Sequence, residues 1–88
     1  MRIRVVDSRK NPVAGADLLL IARDGRHWEQ FSSQDGSVLF PNLPGEAVGV
    51  FCARDGYSGF YLPQYDPSRS LEATLSPKSS GGWLQDNR

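Results

Sequence analysis

Short apolar runs separated by turn residues at intervals of about ten recur along this chain, the pattern of an all-β sandwich or barrel. No window of eleven or more residues places apolar positions at helical spacing without an interrupting Gly or Pro. Seven strands are predicted. The first is Arg2 to Val6, with Ile3 and Val5 on one face and Arg2, Arg4 and Val6 on the other. The second, Ala16 to Ala22, is continuously apolar through Leu18-Leu19-Leu20-Ile21. Such a run suits a strand covered on both faces, or one with a face in the core and the other against a partner. The third, Arg26 to Ser32, alternates so that register decides whether Trp28 or Phe31 is buried. Ser37 to Phe40, Glu46 to Ala53, a short strand near Gly59 to Leu62, and Ser70 to Ser76 complete the set. Val48, Val50 and Cys52 point inward in the fifth, and Leu71, Ala73 and Leu75 share one face of the last.

The connections carry recognisable turn chemistry. Pro12 fixes its own φ and biases Asn11 towards extended geometry. Asp24-Gly25, Asp35-Gly36 and Asp55-Gly56 are turn pairs, both residue types tolerating the positive φ that tight hairpins demand. Pro41-Asn42-Leu43-Pro44-Gly45 reads as a stiff connector with Leu43 as a plug, and Pro63 to Ser68 as a loop carrying Tyr65. Residues 1–76 form one domain in this reading. From Pro77 the composition changes, and Lys78-Ser79-Ser80-Gly81-Gly82 resembles a flexible linker. Trp83-Leu84 is an apolar pair within that tail, which either docks back onto the domain or begins a further element.

Length and charge narrow the possibilities. With 88 residues the chain forms a single domain that buries only about 60% of its unfolded surface. Ten basic and ten acidic residues cancel, whereas a nucleic-acid binder carries a clustered basic excess. Arg2, Arg4, Arg9 and Lys10 are better read as a solvated face, so no nucleic-acid partner is expected. No apolar run approaches the ~20 residues that span a bilayer, so no membrane insertion is expected. The first strand starts at Arg2, leaving no room for a signal peptide, and an intact chain would be cytoplasmic. That expectation lapses if the chain is one domain of a longer protein. A single cysteine, Cys52, allows no intramolecular disulfide and reads as a small buried hydrophobe.

Three sequence pieces in order carry a family resemblance: Pro-Val-Ala-Gly-Ala after strand one, Asp-Gly-Ser-Val-Leu-Phe-Pro-Asn-Leu-Pro-Gly in the middle, and Asp-Gly-Tyr later. Together, over about residues 3 to 75, they resemble the carboxypeptidase regulatory-like family among the transthyretin-like and CnaB-like sandwiches. The resemblance implies a single seven-stranded Greek-key β-sandwich of the transthyretin (prealbumin-like) kind. It also implies an accessory role, as a spacer, folding partner or interaction surface. Two chemical branches of that superfamily fail residue by residue. The hydroxyisourate hydrolases use several histidines and a C-terminal Tyr-Arg-Gly-Ser, whereas this chain has His27 alone and ends Asp86-Asn87-Arg88. An internal Lys–Asn cross-link of the CnaB kind needs a lysine on strand one and an asparagine on strand seven, and neither is present.

Candidate chemistry is sparse. Asp24, Asp35 and Asp55 each precede a glycine, where aspartate is a turn former, and Asp66 adds no dense ligand loop for Ca²⁺. His27 with Glu29 lacks the three or four ligands that zinc needs, and one histidine is poor support for nucleophilic catalysis. No cofactor, metal or catalytic residue is therefore assigned. The aromatics Tyr57, Phe60, Tyr61 and Tyr65 cluster around a Gly- and Pro-containing loop, and Tyr and Trp are enriched at protein hot spots. Tyr57, Tyr61, Tyr65 and Trp83 are the candidate partner- or glycan-binding residues. The expected function is a non-enzymatic module making protein–protein contacts or serving as a spacer; the alternative is a small carbohydrate-binding module using the Tyr57–Tyr65 loop. The apolar strand Leu18 to Ile21 also suggests self-association, because exposed apolar strand surface invites pairing.

Overall fold

A computed structural model describes residues 1–78. Residues 79–88 of the tail, Trp83 among them, lie outside the described residues. The seven strands are β1 (Arg2–Asp7), β2 (Asp17–Ala22), β3 (His27–Phe31), β4 (Ser37–Leu39), β5 (Val48–Ala53), β6 (Phe60–Tyr65) and β7 (Leu71–Leu75). There is no helix among the described residues. The strands form a three-stranded sheet in the order β4-β1-β7 and a four-stranded sheet in the order β3-β2-β5-β6. Among the described residues only β1 and β7 pair in parallel; the other four pairings are antiparallel.

Period-two alternation decides which side chains meet between the sheets. Ile3 and Val5 of β1, Leu18, Leu20 and Ala22 of β2, Val48, Val50 and Cys52 of β5, and Ala73 and Leu75 of β7 share one buried cluster with Phe40 and Val38. Leu43 packs against it, as the plug reading of its connector expects. Register settles the ambiguity in β3: Trp28 lies opposite Leu20 and leans on the core, while Phe31 lies opposite Asp17 and is 64% exposed.

Two local expectations change. The aspartates of the Asp-Gly pairs do not adopt positive φ; only the glycines do, at 95° for Gly25, 80° for Gly36 and 87° for Gly56. Asp24 and Asp35 contribute their carboxylates instead, each accepting the backbone N–H two residues ahead, from Arg26 and Ser37. Asp7 and Asp66 do the same for Arg9 and Ser68. This side-chain turn competes with regular structure and closes the strand ends. The second change is β6, which continues through Pro63 to Tyr65 where a loop was expected. β6 is an edge strand, where a proline costs no ladder bond on its open side, and a register shift opposite Val48–Val50 absorbs the extra residue.

The Pro-Val-Ala-Gly-Ala segment is held by Ser32, the one buried polar residue among those described. Its hydroxyl donates to the Val13 carbonyl at 2.7 Å and accepts from the Ala16 N–H at 2.9 Å. Both capacities of a buried hydroxyl are thereby used, so the segment enters β2 in a fixed register.

Candidate interaction surface

With the core between the sheets, each sheet has one outer face. That of the four-stranded sheet is built in rows set by the pairing register. One row runs Glu29, Leu19, Phe51, Tyr61 across β3, β2, β5 and β6. The row beside it holds Phe31, Asp17 and Ala53, and the next holds His27, Ile21 and Gly49. Phe51 and Tyr61 stack with ring centroids 4.4 Å apart and planes inclined by 29°. Of the four exposed large hydrophobics among the described residues, Phe31, Phe51 and Tyr61 lie on this face, and only Leu39 lies elsewhere. A groove of about 380 Å³ runs between Asp17, Leu19, Phe51, Gly59 and Tyr61.

The predicted tyrosines divide. Tyr61 is 55% exposed on the outer face. Tyr57 and Tyr65 are half-buried and pack against the core. Tyr65 further commits its hydroxyl, donating to the Ser70 carbonyl at 2.6 Å. Tyr57 is fixed by a bridge to Pro77. The three are therefore not brought together as one loop patch. Sequence reasoning passed over Phe51, Leu19 and Phe31 as a set, although the signal was available. Once Val48, Val50 and Cys52 point inward, alternation sends Phe51 outward, and Leu18 and Leu20 do the same for Leu19.

The electrostatics of this face are unusual in one respect. Asp17 Oδ1 is enclosed and has no hydrogen-bond donor among the described residues. Hydrogen bonding to Asp17, reinforced by its negative charge, raises the Glu29 carboxyl above its ordinary range. His27 opposes that shift weakly. A proton on Glu29 lets the two carboxyls share a hydrogen bond; without it they repel. The turn aspartates behave oppositely. Hydroxyl hydrogen bonds from Ser33 and Ser37, with the Ser37 N–H, hold Asp35 down at about 2.

No family model matches the chain, and no curated protein matches it either. The functional reading therefore stands on the geometry of its surfaces. Cys52 faces the core, and burial, then the Asp17 charge, push its thiol up to about 11, which keeps it protonated and weakly nucleophilic. Among the described residues no three His, Cys, Asp or Glu side chains gather as a metal-binding group, and no helix is long and apolar enough to cross a membrane.

Proposed function

We propose that this chain is a non-enzymatic β-sandwich module that binds another protein through the outer face of its four-stranded sheet. The observation that carries the proposal is the concentration of Phe31, Phe51 and Tyr61 on that one face, beside half-buried Leu19 and Ile21. Contiguous exposed apolar surface marks contact sites, and aromatic residues dominate their energetics. The two-sheet architecture and the order of the turn motifs support reading the module as a Greek-key sandwich of the carboxypeptidase regulatory-like, transthyretin-like kind. An accessory role, within a longer chain or beside a separate subunit, suits such a module. The carbohydrate-binding reading has less to draw on, since of Tyr57, Tyr61 and Tyr65 only Tyr61 offers an open ring.

The test is photo-crosslinking from a benzophenone placed at Tyr61 and, in a separate variant, at Thr74 on the other sheet. A partner captured only from position 61, whose purified form binds the unmodified chain but not the Phe51→Ser, Tyr61→Ser double variant, is the expected result. Equal capture from both positions, or unchanged binding by the double variant, would overturn the proposal. Retardation on polysaccharide gels that depends on Tyr61 would favour the glycan reading instead.

A further inference from the structure

Resting on that surface reading, we infer that the face has an occupant within its own chain: Trp83, with Leu84 beside it, covers the Leu19–Phe51–Tyr61 groove until a partner displaces it. The place where the described chain ends carries the inference. After β7 the backbone leaves the three-stranded sheet and crosses to the turn between β5 and β6. The Ser76 carbonyl accepts from the Ser58 N–H at 2.8 Å, Pro77 bridges Tyr57, and the Lys78 N–H donates to the Gly56 carbonyl at 2.9 Å. Lys78 then lines a depression with Phe31, Asp17, Ala53 and Gly59. Asp17, Ala53 and Gly59 also line the apolar groove beside Leu19, Phe51 and Tyr61. The chain is thus delivered to the rim of the exposed aromatic face, on the opposite sheet from the strand it has just left.

Length and composition suit that position. Four residues, Ser79-Ser80-Gly81-Gly82, separate Lys78 from Trp83. The steps from Lys78 to Trp83 reach at most about 18 Å, whereas four strands at their usual spacing are about 14 Å across. Trp83 can therefore reach the row from Tyr61 to Leu19, and Gly and Ser carry no bulk that resists a reversal of the chain. Of residues 79–88 only Trp83 and Leu84 are large and apolar; Gln85, Asp86, Asn87 and Arg88 are polar. The face offers Tyr61 at 55% and Phe51 at 39% exposure, stacked 4.4 Å apart, as an aromatic platform for an indole. A short flexible tether gives the indole an effective concentration in the millimolar range. A contact with a dissociation constant of that order then covers the face in about half of the molecules. A partner binds only the open fraction, and its apparent dissociation constant rises in proportion.

The experiment compares amide chemical shifts of the full 88-residue chain with those of its Trp83→Ser, Leu84→Ser variant, at two protein concentrations about tenfold apart. The expected result is a difference at Leu19, Phe51 and Tyr61 that is the same at both concentrations, with Arg4 and Thr74 of the other sheet unmoved. Acetylated, amidated Gly-Gly-Trp-Leu-Gln added to the variant should restore those shifts, and Gly-Gly-Ser-Ser-Gln should not. The partner captured from position 61 should bind the variant at least about twofold more tightly than the unmodified chain. Identical shifts at this face in chain and variant, or equal partner affinity for both, would overturn the inference. Differences that grow with concentration would also overturn it, by assigning the tail to a second copy. None of these results touches the surface reading while the partner still requires Phe51 and Tyr61. Partner binding that ignores the Phe51→Ser, Tyr61→Ser change would overturn that reading, and the displacement with it, even where the tail-dependent shifts are seen.

Discussion

The outer faces of the two sheets are made by the same alternation and differ in almost everything else. On the three-stranded sheet, Arg4 lies opposite Ser37 on one side and Glu72 on the other, and Thr74 lies opposite Val6. Lys10 crosses from its turn to Glu72. Arg2 and Arg4 are exposed, Glu72 is paired with Lys10, and the one large exposed hydrophobic there among the described residues is Leu39, opposite Arg2. On the four-stranded sheet the corresponding positions are Leu19, Phe51, Tyr61 and Phe31, and the Asp17 and Glu29 carboxyls lie together with no ion pair among the described residues. A domain that needed only a stable core would have little reason to make its outer faces so unlike. On the proposed reading, solvent suffices for the first face and a partner covers the second.

The largest expected effect separates inside from outside on a single strand. Leu20 is fully buried and Leu19, its neighbour, faces outward. Leu20→Ala should cost about 2–5 kcal/mol in chemical denaturation, through lost burial and the cavity left behind. Leu19→Ala should cost less than about 1 kcal/mol, in the range of surface changes. Equal losses would mean that the outer face is structural, and the contrast would fail.

Next comes the frame of the charged sheet. Gly36 has φ +80° and donates nothing by side chain, but an added Cβ would press on the Val5 carbonyl, whose residue also bonds Gly36 through its N–H at 2.7 Å. Gly36→Ala should therefore destabilise by at least about 1–3 kcal/mol, the cost of a side chain in such a conformation. A neutral thermal melt would show that the β1–β4 edge tolerates a shift.

Acid titration sharpens the comparison because the two kinds of carboxyl have opposite signs. Asp35 is depressed in the fold, so its contribution is present above its unfolded pKa near 4 and is lost as pH falls towards about 2. Glu29 is raised, so its ionisation weakens the fold as pH climbs from its ordinary value near 4.5 through the raised one. Asp35→Asn should accordingly lower Tm at neutral pH and matter little near pH 2. Glu29→Gln should raise Tm slightly at neutral pH and leave the acid end unchanged. The same sign for both variants would contradict the electrostatic account. Smallest of all, Lys10→Met should leave Tm unchanged at physiological salt, since the Lys10–Glu72 pair is exposed and screened.

Much of this was legible in the sequence, for identifiable reasons. Strand positions followed from apolar alternation and from Asp-Gly turns, which are local. The inward set Val48, Val50 and Cys52 followed from period two. The continuously apolar Leu18-Leu19-Leu20-Ile21 run already placed apolar side chains on both faces of its strand. What was not legible depends on pairing between distant strands. Only the register of β2 against β3 and β5 brings Phe31, Asp17, Glu29, Leu19 and Phe51 together. Proximity in sequence grouped Tyr57, Tyr61 and Tyr65, but the β5–β6 register turned Tyr61 outward and Tyr65 onto the core. Pro63 hid the length of β6 because an edge position cannot be read from one strand alone.

The most direct test of the central claim compares the two faces in one affinity measurement. The partner captured from position 61 is titrated calorimetrically against a Phe51→Ser, Tyr61→Ser variant and an Arg4→Ser, Glu72→Ser variant, each first shown to be folded. The account predicts at least about a tenfold loss of affinity for the first, equivalent to about 1.4 kcal/mol, and wild-type affinity for the second. Wild-type binding by the first variant with a loss in the second would contradict it.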